Sequence, residues 1–207
     1  MVEFYKTFLF LNYGLLLIIV FLIFWKFAIL SKKEKQYAYY IVFLFIIEFL
    51  SFALPYILES TDTSFLYHYF IAGEFFLLTG IFIRKLNLNK NFILLSALAS
   101  LGFLFAIYGL KVSFNYDLAK IFSNIIIIGL VAIFLIQQIK SAKNTDRFML
   151  VDASIFFYYS VSVMVFVVFA QFVNLSTESV YLIMGVNNVF STFLYCSIVY
   201  TFLKLKK

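Results

Sequence analysis

The chain reads as an all-α fold, a polytopic transmembrane bundle of seven helices with the N-terminus outside and the C-terminus cytosolic. Three observations predict this. The 207 residues are 65% hydrophobic and 13% charged, with a mean hydropathy of +1.04. Apolar stretches of about 20 residues recur seven times, each long enough to cross roughly 30 Å of hydrocarbon as a helix. The polar gaps between them alternate in sign. Lys32, Lys33 and Lys35 fill the first, Glu59 and Asp62 the second, and Arg84, Lys85 and Lys90 the third; Lys111 and Asp117 nearly cancel in the fourth. Lys140, Lys143 and Arg147 fill the fifth, Glu178 stands in the sixth, and Lys204, Lys206 and Lys207 close the chain. Cytoplasmic loops retain Lys and Arg, so every second gap is expected to face the cytosol.

The first span, about 7–30, ends on Trp25 and Lys26. It is too long for a signal peptide, has Glu3 before Lys6 in place of a basic start, and lacks a small-x-small cleavage site, so it is expected to be retained. The second, about 37–58, opens on Tyr37, Tyr39 and Tyr40 at the cytosolic boundary and closes on Tyr56 at the outer one; Pro55 is expected to kink its outer third. The third, about 65–83, starts with Tyr67, His68 and Tyr69 near the outer headgroups. The fourth, about 91–110, has no ionisable residue, and Ala99, Gly102, Ala106 and Gly109 form one stripe of small side chains. Such a stripe permits close helix approach, here expected inside the bundle in preference to a homo-oligomer seam. The fifth, about 117–139, carries Lys120 and Asn124 one turn apart, with Tyr116 at its outer edge. The sixth, about 148–173, has Asp152 near its start, where the helix dipole favours an acid as a cap, and Gln171 at its outer interface. The seventh, about 178–203, carries Tyr181, Asn188, Ser191 and Tyr195 on one stripe. Residues 1–207 thus form a single transmembrane domain, and the polar gaps are too short to hold a soluble one. Helices are required because lipid offers the backbone no hydrogen bonds, and the alternating polarity of a barrel is absent.

The net charge of +6 follows topology. Of 16 Lys and Arg, twelve fall in cytosolic gaps and tail, Lys6, Lys111 and Lys120 on the outer side, and Lys26 at the inner end of the first span. That distribution predicts contact with anionic lipid, and a protein partner at the basic loops, and no nucleic acid. The 30 phenylalanines read mostly as lipid-facing filler. Cys196 stands alone, so no intrachain disulfide is available. With one histidine and no CxxC, GxSxG, Walker or GxGxxG pattern, no catalytic residue, metal site or cofactor is expected, and the protein reads as no enzyme.

What remains is polarity inside the bilayer. A carboxylate at mid-membrane costs about 2.5–3.5 kcal/mol on insertion scales. Glu48 and Glu74 lie on successive, oppositely directed spans and reach nearly the same depth. Asn12, His68, Asn124, Asn187 and Asn188 join them in the middle-to-outer half of the membrane. Together these seven are the ligand- or ion-binding candidates; for the asparagines alone, interhelical bridging is the competing role.

An offset of 112 residues overlays the first three spans on the last three, matching Asn12 with Asn124 and Gly73 with Gly185. Two parallel three-helix units joined by a linker helix would give that pattern. The stretches Phe65–Phe70, Glu74–Leu78 and Met184–Asn188 resemble the corresponding spans of a group of small bacterial seven-helix membrane proteins. The resemblance implies a bacterial cytoplasmic membrane and carries no activity. The expected function is a non-enzymatic sensory or regulatory accessory subunit, with an outward-facing polar cavity that signals to a cytosolic or membrane partner. The alternatives are a small-solute or ion facilitator with a midplane Glu site and, third, an intramembrane lipid hydrolase.

Overall fold

The computed structural model describes every residue except 58–62, 113–114, 142–145, 173–174 and 206–207, and the side chain of residue 56. Glu59, Asp62, Lys143, Lys206 and Lys207, and the ring of Tyr56, therefore lie outside the described residues. Seven helices follow one another: α1 (Val2–Lys26, extended by a 3-10 turn at Phe27–Ile29), α2 (Lys35–Ile57), α3 (Ser64–Lys85), α4 (Asn91–Tyr108), α5 (Tyr116–Ser141), α6 (Met149–Gln171) and α7 (Thr177–Lys204). Each is long and apolar enough to cross a membrane, which makes the chain an integral membrane protein by length and composition.

Most helix ends fall within about two residues of the expected spans. α1 departs most, starting at Val2, because the polar segment from Glu3 to Thr7 continues the helix: the Thr7 hydroxyl donates to the Glu3 carbonyl at 2.8 Å. α4 stops at Tyr108, where the N–H groups of Gly109 and Leu110 fold back onto the Phe105 carbonyl at 2.7 and 3.1 Å. Pro55 lies in the last turn of α2, which runs on to Ile57.

Six helices close a ring in the order α1, α2, α3, α5, α6, α7 and back to α1. α4 stands outside it against α3. The neighbour relations repeat: α1–α2 matches α5–α6, α2–α3 matches α6–α7, and the α3–α5 junction matches α7–α1. Helices α1, α3, α5 and α7 run one way and α2, α4 and α6 the other. One end of the ring thus carries Met1 and the starts of α3, α5 and α7 (the N-terminal face), and the other the starts of α2 and α6 and the end of α7 (the C-terminal face).

Each ring helix turns one stripe inward at spacings of three and four. On α1 the stripe is Asn12, Leu16, Ile19 and Ile23; on α5 it is Lys120, Asn124, Ile127, Val131 and Phe134; on α6 it is Asp152, Ile155, Tyr159 and Ser162. Toward the C-terminal face the ring is filled solid, with Ile19, Ile41, Phe82, Val131, Phe148 and Phe202 fully or nearly fully buried.

Two expectations are corrected here. Tyr37 and Tyr40 are not interfacial but 1% exposed in the core, because they face inward on α2 while Tyr39, between them, faces lipid at 55%. Far more phenylalanines are exposed than buried among the described residues, with Phe82, Phe134, Phe148 and Phe202 the buried ones. The small-residue stripe of α4 does not pack inside the bundle: the face turned to α3 carries Ser96 and Ser100, whereas Ala99 and Gly109 are exposed and nothing lies within 4 Å of where a Gly102 side chain would begin.

Candidate functional site

The ring is hollow toward its N-terminal half. A cavity of about 180 Å³ is lined by all six ring helices and by none of α4. α1 contributes Asn12 and Tyr13, α2 Tyr40 and Glu48, α3 Phe70 and Glu74, α5 Lys120, α6 Tyr158, and α7 Asn187, Asn188, Ser191 and Tyr195. A second hollow of about 340 Å³ opens between α2 and α3 beside Thr63 and Ser64, at the N-terminal face. Glu48 and Phe70 line both, so these two side chains stand between the vestibule and the cavity.

The floor is an ion pair. Lys120 Nζ binds Glu74 Oε2 with both side chains almost wholly buried, and the Tyr159 hydroxyl donates to Glu74 Oε1 at 2.6 Å. Tyr159 pairs in turn with the Tyr40 hydroxyl at 3.0 Å. The Lys120 ammonium also lies 4.3 Å from the centre of the Phe70 ring, within cation–π range. Sequence reasoning placed Lys120 among the outer charges; in fact it turns inward, because its long stem reaches from the second turn of α5 to the carboxylate on α3.

Glu48 is placed differently. It is partly buried and within hydrogen-bond reach of the Tyr13 hydroxyl, while no Lys, Arg or His pairs with it among the described residues. Above it the Asn12 amide is fully engaged, donating to the Asn188 carbonyl at 3.0 Å and accepting from Thr192 at 2.7 Å, which staples α1 to α7. The amides of Asn187 and Asn188 each keep one buried polar atom without a partner.

Five of the seven candidates therefore meet at one cavity: Asn12, Glu48, Glu74, Asn187 and Asn188. The other two do not. Asn124 is buried behind the wall and donates to Ser162 at 3.1 Å, bridging α5 to α6. His68 is buried against α4 and α5, with Nδ1 3.0 Å from the Tyr108 hydroxyl and its ring 4.5 Å from that of Tyr116. Depth alone did not determine which way either residue faces.

Beneath the filled core lies a second charged layer. Asp152 is fully buried and is no simple cap: it accepts from the Tyr37 hydroxyl and pairs with Lys85 at 2.5 Å. Lys85 also reaches Asp146 at 2.9 Å and lies 4.6 Å from the Phe134 ring. Burial alone would raise the Asp146 carboxyl, but the Lys85 charge and the Phe148 N–H at 3.0 Å hold it below the usual carboxylate value. At the rim Arg147 grips Glu34 through two nitrogens at 3.0 and 2.9 Å. The ends of α2, α3 and α6 are thus tied together at the C-terminal face.

No protein-family model, no curated protein and no solved structure matches this chain.

Proposed function

We propose that this chain is a non-enzymatic membrane protein that takes a small ligand into the ring cavity and reports its occupancy to a partner at the opposite face. With the basic connections placed in the cytosol, the vestibule opens outward and the Lys85–Asp152 layer lies at the cytosolic side. The observation that carries this reading is the cavity's lining. All six ring helices border it, so a guest that draws Glu48, Asn188 or Tyr158 inward changes the packing of every one of them. A ligand shifts such an ensemble by its difference in affinity between two packings, and needs no appended domain to do so. The filled, ion-paired C-terminal half then transmits the rearrangement, as packed cores shift between discrete states more readily than they deform.

Co-purification in mild detergent tests the partner. A protein recovered with the native chain, and lost when Ser191→Phe fills the cavity, supports the reading; a strictly solitary protein with either cavity counts against it.

A second reading, a small-solute or ion facilitator, is favoured by the repeated neighbour pattern. Two three-helix units enclosing a midplane site, open on one side and latched on the other, suit alternating access. Solute flux into liposomes holding the purified protein, sensitive to Glu48→Gln and Glu74→Gln, would favour transport over sensing. The hydrolase reading is the least supported. Glu74, the second carboxylate it needs, is held by Lys120 and Tyr159.

A further inference from the structure

We propose that the cavity receives a small organic ammonium ion, with its positive end against Glu48. This rests on the reading of the ring as a ligand-binding bundle and adds the chemistry of the guest. Two carboxyl groups and one amine line the hollow: Glu48, Glu74 and Lys120. Lys120 and Glu74 neutralise each other, and Tyr159 takes the remaining Glu74 oxygen. Among the described residues Glu48 has the Tyr13 hydroxyl and no cation, so the lining holds one carboxyl group more than its cations balance. A carboxylate held away from water without a counter-charge is costly, and a guest cation supplies what the protein leaves out.

The walls select the kind of cation. Tyr13, Tyr158 and Tyr195 lie close enough to Glu48 to feel its charge, and Phe70 borders the same junction. Aromatic faces attract ammonium groups. A calcium or magnesium ion would demand six or more oxygen ligands, far beyond one carboxylate and a pair of amides, and no cluster of three His, Cys, Asp or Glu side chains is found among the described residues for a zinc ion. The free amide atoms of Asn187 and Asn188 can meet an N–H or a hydroxyl, and Leu9, Leu16 and Leu44 offer an apolar wall to carbon. A volume of about 180 Å³ lies below the ~300–1,000 Å³ of pockets that hold drug-sized ligands. That suits a short amine or amino alcohol better than a lipid or a peptide.

Equilibrium dialysis of the full-length protein in mild detergent with radiolabelled ethanolamine is the test. We expect saturable binding, displaced by n-propylammonium and not by 1-propanol, propionate or Na⁺. Glu48→Gln keeps the shape and removes the charge, and should weaken binding by at least about 30-fold, the equivalent of unpairing a buried charge. It should leave the melting temperature of the empty protein unchanged or higher, which separates a binding carboxylate from a structural one. Unchanged affinity in Glu48→Gln, displacement by propionate or propanol, or no saturable binding overturns the ammonium assignment. Labelled propanol or propionate that binds, and is blocked by Ser191→Phe, overturns the assignment while the cavity reading stands. No probe binding, together with partner recovery indifferent to Ser191→Phe, overturns both.

Discussion

At the residue scale, Lys120 is the side chain whose position is least favourable on its own. It sits one turn into α5, near the helix end that disfavours a cation, and it is 1% exposed. Only Glu74 makes that placement tolerable, so the two should be energetically inseparable. Lys120→Met should destabilise by about 3–5 kcal/mol, because it strands a buried carboxylate, and adding Glu74→Gln should restore most of the loss. Thermal unfolding of both single variants and the double variant checks this, and simple additivity would refute it. The glutamates were legible in the sequence because a carboxylate in the middle of an apolar run has few harmless explanations. Lys120, Lys85 and Asp152 were not, because a charge near the end of a span reads as interfacial. The usable signal was register: Lys120 leads the stripe that continues through Asn124, Ile127 and Val131, and Asp152 leads the one through Ile155 and Tyr159. Conversely, His68 and Asn124 lie near the depth expected of them but face other neighbours, since depth follows from counting along the chain and facing only from packing.

At the element scale, the junction of α2 with α3 depends on Gly73. A methyl group there would stand 2.3 Å from the tip of the Phe43 ring. Gly73→Ala should therefore cost about 1–3 kcal/mol through overpacking, and Phe43→Leu in the same chain should recover part of it; melting temperatures of the two variants decide. The latch joining α3 to α6 should respond to acid. Because the Asp146 carboxyl is held below its ordinary value of 3.8 in the folded protein, its contribution is fully present above that value. It should be lost as pH falls further, through the folded value. Asp146→Asn should accordingly lower stability at neutral pH, where the carboxylate contributes in full, and flatten part of the acid limb, so that the two proteins converge as pH falls below about 4. Melting curves of both proteins between pH 3 and 7 would show an unaltered acid limb if the carboxylate were idle. For α4 the sequence identified the span and its lack of charge, yet the direction of its small-residue stripe could not be read, because no polar face marks one side of a helix that is apolar all round.

At the scale of the whole molecule, the alternation of basic connections predicts two faces in different compartments. Cys196 is exposed on α7 with no disulfide, so Cys196→Ser should change stability by less than about 0.5 kcal/mol and provide a clean background. In that background an impermeant maleimide should label Lys111→Cys in intact cells and spare Lys90→Cys until the membrane is opened. Equal labelling of both, at opposite ends of α4, would break the proposed orientation. Seven spans were legible from length and apolarity alone, since lipid leaves the backbone few options. The closed ring was not, because which helices touch depends on matched side-chain shapes distributed over distant segments. The helix left out of that ring has its own consequence. As a lone odd crossing, α4 restores the second triplet to the same heading as the first. Excised, it would oblige the last three helices to enter upside down, carrying Lys120 to the far leaflet from Glu74 and leaving the two halves with no shared chamber to build.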